Sequence, residues 1–232
     1  MTTLSAQRVA FRLAAVAGLA VAAVLMILIP VAFAVVAGLL VGAFMHRLVL
    51  GGAKATVIKV LGAEPLGEGA EPRLESLVES ICASHGIPEP ELLIVGESAL
   101  DAALVTRGSD LALIVTRGLL DHLDRLELEA VVARQLTADL AKAEAATVYA
   151  AMATRFGRFA GGANIANGAR VRADFAGVAL TRYPPALASA LAKAAESDRM
   201  ASQPATEHLW MVGSVDLDGF SLGARVDALR EL

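Results

Sequence analysis

Cysteine is nearly absent. Cys82 stands alone, so the chain forms no internal disulfide, which suits a reducing, cytosolic setting. It sits in LVESICASHGI among apolar residues of one helical face, the pattern of a small core residue and not of a nucleophile. Aromatic residues make up only 4% and the formal net charge is −4. With no basic stripe interleaved with aromatics, nucleic-acid binding is excluded. Only four histidines occur, His46, His85, His122 and His208, and no two have metal-ligand spacing. No G-x-S-x-G motif frames a serine nucleophile, and AGGANIANG follows a helical stretch instead of opening one, a poor phosphate cradle. The acid pairs Glu127/Glu129 and Asp121/Asp124 read as solvation and capping.

What the sequence has in excess is apolar surface. Hydrophobic residues reach 56% and the mean hydropathy is +0.60, above the range of ordinary soluble domains. Leu13 to Met45 is a run of 33 residues without a charge. One bilayer crossing needs roughly 20 apolar residues, and a cleaved signal peptide has an apolar core of only about 7–15. The run is therefore read as a retained membrane anchor over residues 1–50. Pro30 divides it near the middle, and proline breaks or kinks a helix. Arg8 and Arg12 precede it and Arg47, Lys54 and Lys59 follow it. Positive residues favour the cytoplasmic side, so both flanks suit a two-helix hairpin with both ends inside the cell. A single long, tilted, kinked helix is the alternative. Gly38 and Gly42 form a GxxxG pair and Ala14 with Gly18 a second small-residue pair, suited to close helix packing.

Residues 51–72, ending in GAEPLGEGAEP, are read as a linker. From residue 73 onward apolar residues at i, i+3, i+4 and i+7 predict a helix over Arg73–Ser84, and short β-branched runs bounded by turn signals predict strands over Glu91–Ser98 and Asp110–Gly118, with Asp101–Val105 a candidate third strand. A turn and short helix follow over Thr116–Leu123. A long helix opening at Leu126 is expected to run as far as Phe159, with Phe156 and Phe159 candidates for the bilayer surface. Further helices are expected over Arg172–Thr181, Pro184–Ser197 and RVDALREL, with a short strand or buried turn over His208–Val215. The layout is α+β: a mostly helical domain, 73–232, with a small sheet behind the anchor.

The order of the pieces resembles the HtpX-type membrane zinc metallopeptidases, relatives of the CAAX prenyl proteases. That family has an N-terminal membrane hairpin, a GA-P linker and a helix ending GIP-P, then strands. A TxGLL..L...EL..V.AHELAH helix follows, then an ExxAD helix and R(I/V)xxL. Here the corresponding segments are GAEPL (Gly62 to Leu66), HGIPEPELLIV (His85 to Val95) and VTRGLLDHLDRLELEAVVA (Val115 to Ala133), then ADFAGVAL (Ala173 to Leu180) and RVDAL (Arg225 to Leu229). The resemblance implies a zincin-like fold and a zinc helix in which two histidines four apart grip the metal while a glutamate serves as general base.

At those positions this chain carries Arg134, Ala138 and Gln135, and the third ligand, the glutamate of ExxAD, is replaced by Arg170. Ala173 and Asp174 of that motif remain. Arginine has no lone pair to give a metal and glutamine takes no proton. No zinc cofactor is therefore expected, and without it nothing brings water's pKa down to about 7. The family's aspartate would support a metal-bound histidine from behind; here the same geometry is expected to pair Asp174 with Arg134, while Arg170 turns to solvent or finds another acid. The expected function is that of an inactive homologue, a pseudopeptidase. It would lie in the bilayer of the cell membrane with its main domain cytoplasmic, and bind or scaffold a membrane-protein partner. An extended peptide added to an edge strand is one mode of binding. An active zinc endopeptidase of membrane-protein quality control and a structural accessory subunit of a membrane complex are the alternatives. The family's further membrane spans are missing, since only 35 residues separate Arg134 from Arg170.

Overall fold

A computed structural model describes residues 6–25, 31–156, 168–200, 203–214, 216 and 219–232. Pro30, Phe159 and the glycine-rich loop after Phe156 lie outside these residues, as does the side chain of Phe156.

Short continuous apolar runs make the strands, and the strand period of two sends neighbouring side chains to opposite faces of the sheet. Four strands pair in the order β1 (Glu64–Pro65), β2 (Glu91–Val95), β4 (Asp110–Thr116), β3 (Ala102–Arg107). The β2–β4 pair is parallel, whereas β3–β4 and β1–β2 are antiparallel. β4 lies inside the sheet and is buried along LALIVT. Leu113 and Val115 point into one core with α3 (Pro72–His85), α4 (Arg117–His122), α5 (Arg125–Leu136), α7 (Ala169–Thr181), α8 (Pro184–Glu196) and α9 (Leu222–Arg230). Ala112 and Ile114 point into a second core with α2 (Val31–Leu61) and α6 (Leu140–Phe156). Mostly helical with a small mixed sheet, the molecule is α+β.

The candidate third strand is β3, joined to β4 through a tight turn in which Gly108 takes φ 61°, a conformation that suits glycine. α3 begins with Pro72 in its first turn and ends at Gly86, whose φ of 63° makes a left-handed cap. Cys82 is buried in it.

Two expectations need correction. The helix from Leu126 does not run to Phe159: α5 ends at Leu136 and α6 begins at Leu140. Thr137 bonds its hydroxyl back to Ala133 O and Arg134 O, and Asp139 accepts the Ala141 and Lys142 N–H groups at the new start. Polar side chains here compete with the helical ladder. Of the two alternatives for the His208–Val215 stretch, a short strand or a buried turn, the turn is found: a 3-10 turn, Glu207–Leu209, leads to a bridge from Trp210 to Ala103, and Leu209 to Val212 are buried. Residues 51–61 are not linker but the end of α2, which bends by 40° between Leu48 and Gly51. Ala53 and Val57 are core residues there, and the buried Lys54 ammonium reaches Asp110 at 2.7 Å and Glu91 at 3.2 Å.

α1 (Ala6–Leu25) packs on α2 backbone to backbone. A Cβ placed on Gly38 or on Gly18 would come within 2.7 Å of the other glycine's carbonyl oxygen, and one on Gly42 within 3.0 Å of Ala14 O. Among the described residues no single helix is long and apolar enough to cross a membrane. The bent pair Val35–Leu48 and Gly51–Leu61 meets that length and composition together, and Ala14–Ala23 is a shorter apolar helix.

Candidate functional site

α5 is fixed at both ends before it presents any chemistry. At its start Asp124 accepts the Glu127 N–H and Glu127 accepts the Asp124 N–H, a reciprocal cap. The buried Glu127 carboxylate also takes Ser189 Oγ and Lys193 Nζ of α8, each at 2.6 Å. Burial pushes its pKa up, but these partners pull it below the ordinary glutamate value. At the other end α5 delivers Arg134 and Gln135 to the junction with α7 and β3.

Gly177 sets the approach of α7: a Cβ there would come within 2.6 Å of Arg134 Cα. This closeness brings Arg134 Nε to Asp174 Oδ1 at 2.6 Å, both side chains being buried. Arg225 of α9 reaches the same carboxylate, Nε to Oδ2 at 2.7 Å and Nη2 to Oδ1 at 2.9 Å, and donates Nη1 to Met211 O. The two-point contact matches the planar fork of guanidinium to a carboxylate. Asp174 thus accepts three N–H donors from two arginines. Burial alone would raise its pKa; the Arg134 charge and the Arg225 bonds outweigh that and hold it below the ordinary aspartate value. Burial likewise lowers the pKa of Arg134, against the pull of Asp174.

Arg170 does not turn outward. It is buried, donates to Glu207 O at 3.2 Å and stands 4.0 Å from the Glu207 carboxylate. A third buried acid, Asp101, accepts the N–H groups of Ala102, Val212 and Gly213 at 2.8, 3.0 and 2.7 Å. Its pKa is raised by burial in spite of these bonds. Among the described residues of this junction, three buried arginines, Arg134, Arg170 and Arg225, lie beside three buried acids, Asp101, Asp174 and Glu207. Arg225, Glu207 and Asp101 were not singled out from sequence. The signal for them was indirect: arginines on apolar helices imply acids elsewhere in the chain.

Gln135, at the position of the general base, donates Nε2 to Ala102 O at 2.7 Å and is buried. Ala138 lies beyond the end of α5, so it no longer shares a helical face with Arg134. The residues at these positions do not fit zinc. Arg134 and Arg170 have no lone pair to offer, Ala138 has no side-chain donor atom, and Gln135 is held by its bond to Ala102 O. Among the described residues no group of three or more His, Cys, Asp or Glu is placed to hold a metal. His208 packs edge-on against Tyr149, its Nε2 lies 3.0 Å from Ala146 O, and burial lowers its pKa. His122 caps a turn through Gly118 O.

The outer edge of β3, the strand beside Gln135, is taken by the chain itself. Met211 N–H donates to Ala102 O, Trp210 bridges Ala103, and Thr147 Oγ1 accepts the Thr106 N–H. Strand addition by a peptide would have to displace these groups.

No family model matches the chain, and no solved structure matches it. Several curated proteins do. A "Protease HtpX homolog" of Salinibacter ruber is 29% identical over 190 residues, 67% of this chain and 69% of that protein. A "Protease HtpX homolog 2" of Methanosarcina acetivorans is 35% identical over 100 residues, covering 43% of this chain and 34% of its own length. Its namesake in Methanosarcina mazei is 34% identical over 82 residues, 35% and 28% of the two chains. This chain thus spans about two thirds of the first relative and about a third of each of the other two. With the ordered motifs from Gly62 to Leu229, these relatives support a place for the chain among the HtpX-type proteases, to which it is similar.

Proposed function

We propose that this chain is a membrane-anchored pseudopeptidase, a catalytically inactive HtpX-type homologue that holds or scaffolds membrane-protein partners without cutting them. The observation that carries the reading is the Asp174 carboxylate held between Arg134 and Arg225. Arg134 replaces a metal-binding histidine of the family and Gln135 replaces the base, so neither a Lewis acid nor a proton acceptor is provided. Binding is what such a scaffold retains.

The anchor reading is supported by an apolar surface on α1 and α2. Phe11, Leu19, Phe33, Leu39, Leu40 and Phe44 are all more than 60% exposed, an arrangement that lipid relieves. A two-helix hairpin through residues 1–50, with the main domain on the cytoplasmic side, agrees with the basic flanks. Because the chain covers its own β3 edge, partner binding is assigned to the helical surfaces.

The test is metal and protease analysis of the full chain, purified in mild detergent. The expected result is no stoichiometric zinc, unfolded casein left intact after zinc is added, and transient clients among copurifying proteins. One zinc per chain with chelator-sensitive cleavage establishes an active endopeptidase instead. A stable complex of fixed stoichiometry establishes an accessory subunit.

A further inference from the structure

The exposed apolar surface of α2 stops abruptly. Its exposed apolar side chains run from Phe33 to Leu48, over about 22 Å at 1.5 Å per residue; past the 40° bend, Ala53, Lys54 and Val57 are buried in the protein. The Gly51–Gly52 step at this boundary has no side chains, and two arginines from distant parts of the chain close on it. Arg107, from the β3–β4 turn, donates Nη1 to Gly51 O at 3.3 Å. Arg155, near the end of α6, donates Nη2 to Thr56 Oγ1 at 2.8 Å and lies 3.7 Å from a Cβ built on Gly52. Both are exposed, and Arg47 is exposed one helical turn above Gly51.

Two carboxylates beside this step, Asp110 and Glu91, are engaged by Lys54. Among the described residues Arg47, Arg107 and Arg155 have no carboxylate within salt-bridge distance, and the acceptors of Arg107 and Arg155 are neutral oxygens. A guanidinium held this way keeps donors free for a planar or tetrahedral anion.

We propose that Arg107 and Arg155, with Arg47 above them, form a collar that binds the phosphate of anionic phospholipid headgroups where the apolar belt ends. The proposal rests on the membrane-anchor part of the function above. It identifies the occupant by position: phosphates lie just outside the hydrocarbon, and the collar lies just past Leu48. It also sets the seat of the domain, since Arg107 belongs to the sheet and Arg155 to α6. Binding headgroups there would hold both elements against the membrane surface.

The experiment titrates phosphatidylglycerol or phosphatidylcholine into the full chain in nonionic detergent, with bound lipid counted by native mass spectrometry. The expected result is a preference for phosphatidylglycerol that weakens with salt. It should fall about fivefold for Arg107→Gln or Arg155→Gln, and about twentyfold or more for both together. The doubly substituted Arg107→Lys, Arg155→Lys chain should keep most of the preference, which separates charge from folding. Unchanged affinity in the double glutamine variant, equal binding of the two lipids, or competition by inorganic phosphate at matched concentration would each overturn the collar. Alkaline carbonate extraction of native membranes separates the two readings. A full chain released into solution removes the anchor and the collar with it, whereas an embedded chain without headgroup preference removes the collar alone.

Discussion

Arg225 and Arg134 approach Asp174 from two different helices and meet on one carboxylate, with Nε to oxygen distances of 2.7 and 2.6 Å. The acid ties α5, α7 and α9 together in a buried setting. Asp174→Ala leaves two guanidinium groups uncompensated and is expected to destabilise the protein by about 3–5 kcal/mol. Arg225→Leu should cost less, because Arg134 still neutralises the acid. Chemical denaturation of both variants checks the order; equal costs near zero would show that the carboxylate holds nothing.

The helix spacing at this junction depends on one missing side chain. Gly177→Ala places a Cβ against Arg134 Cα at 2.6 Å, with no flexible atom to move aside. A loss of about 1–3 kcal/mol is expected, as for other overpacked interiors. Gly62→Ala has open space around the side chain but a φ of 64°, so it tests backbone strain and serves as a contrast. A Gly177→Ala chain that melts with the parent would mean that α7 slides freely on α5.

Restoring the family's ligand residues should not restore the metal site. With Arg134→His, Gln135→Glu, Ala138→His and Arg170→Glu combined, position 138 still lies past the end of α5. Two histidines four apart grip zinc only when a helix aligns them. The quadruple variant is expected to contain no stoichiometric zinc by elemental analysis. One tightly held zinc per chain would show that the break at Thr137 yields to the metal.

Acid should weaken the fold through His208. Burial depresses its folded-state pKa below the ordinary histidine value, so the unfolded chain takes up a proton more readily. The contribution to stability is full above about 6.5 and is lost as pH falls from there through the lower folded value. Arg170 adds to the depression and Glu207 opposes it. In His208→Gln the stability between about pH 7 and 5.5 should fall less steeply than in the parent. Parallel pH profiles for the two chains would rule His208 out. Asp174, also depressed, adds its own loss only at lower pH, below about 4.

Close packing of α1 on α2 offers a separate check. Gly38→Val inserts a branched side chain where even a Cβ would meet Gly18 O at 2.7 Å. Thermal unfolding in detergent should shift downward by several degrees, and a cysteine pair placed across the two helices should crosslink more slowly. Undiminished crosslinking would show that the two helices do not depend on this seam.

Local signals made much of the fold legible in the sequence. Short β-branched runs bounded by turn signals marked β2 and β4, and Gly86 and Pro88 marked the end of α3; motif order proposed family positions at Arg134 and Gln135, which lie on α5, at Arg170, which lies on α7, and at Ala138, which lies past the end of α5. These features depend on residues a few places apart, whose conformational preferences act before any tertiary contact forms. The helix break at Thr137 was not legible, because a continuous apolar pattern masks the competing side-chain bonds of Thr137 and Asp139. Nor did the sequence disclose that residues 51–61 belong to the domain: Lys54 resembles a membrane flank until Asp110 and Glu91 are brought to it. The pairing of Arg225 with Asp174, of Arg170 with Glu207, and of Trp210 with the edge of β3 joins residues 37 to 107 positions apart at no fixed spacing. Only packing decides such pairs, because a buried charge finds its partner in whichever element the core brings near, and sequence separation carries no information about that.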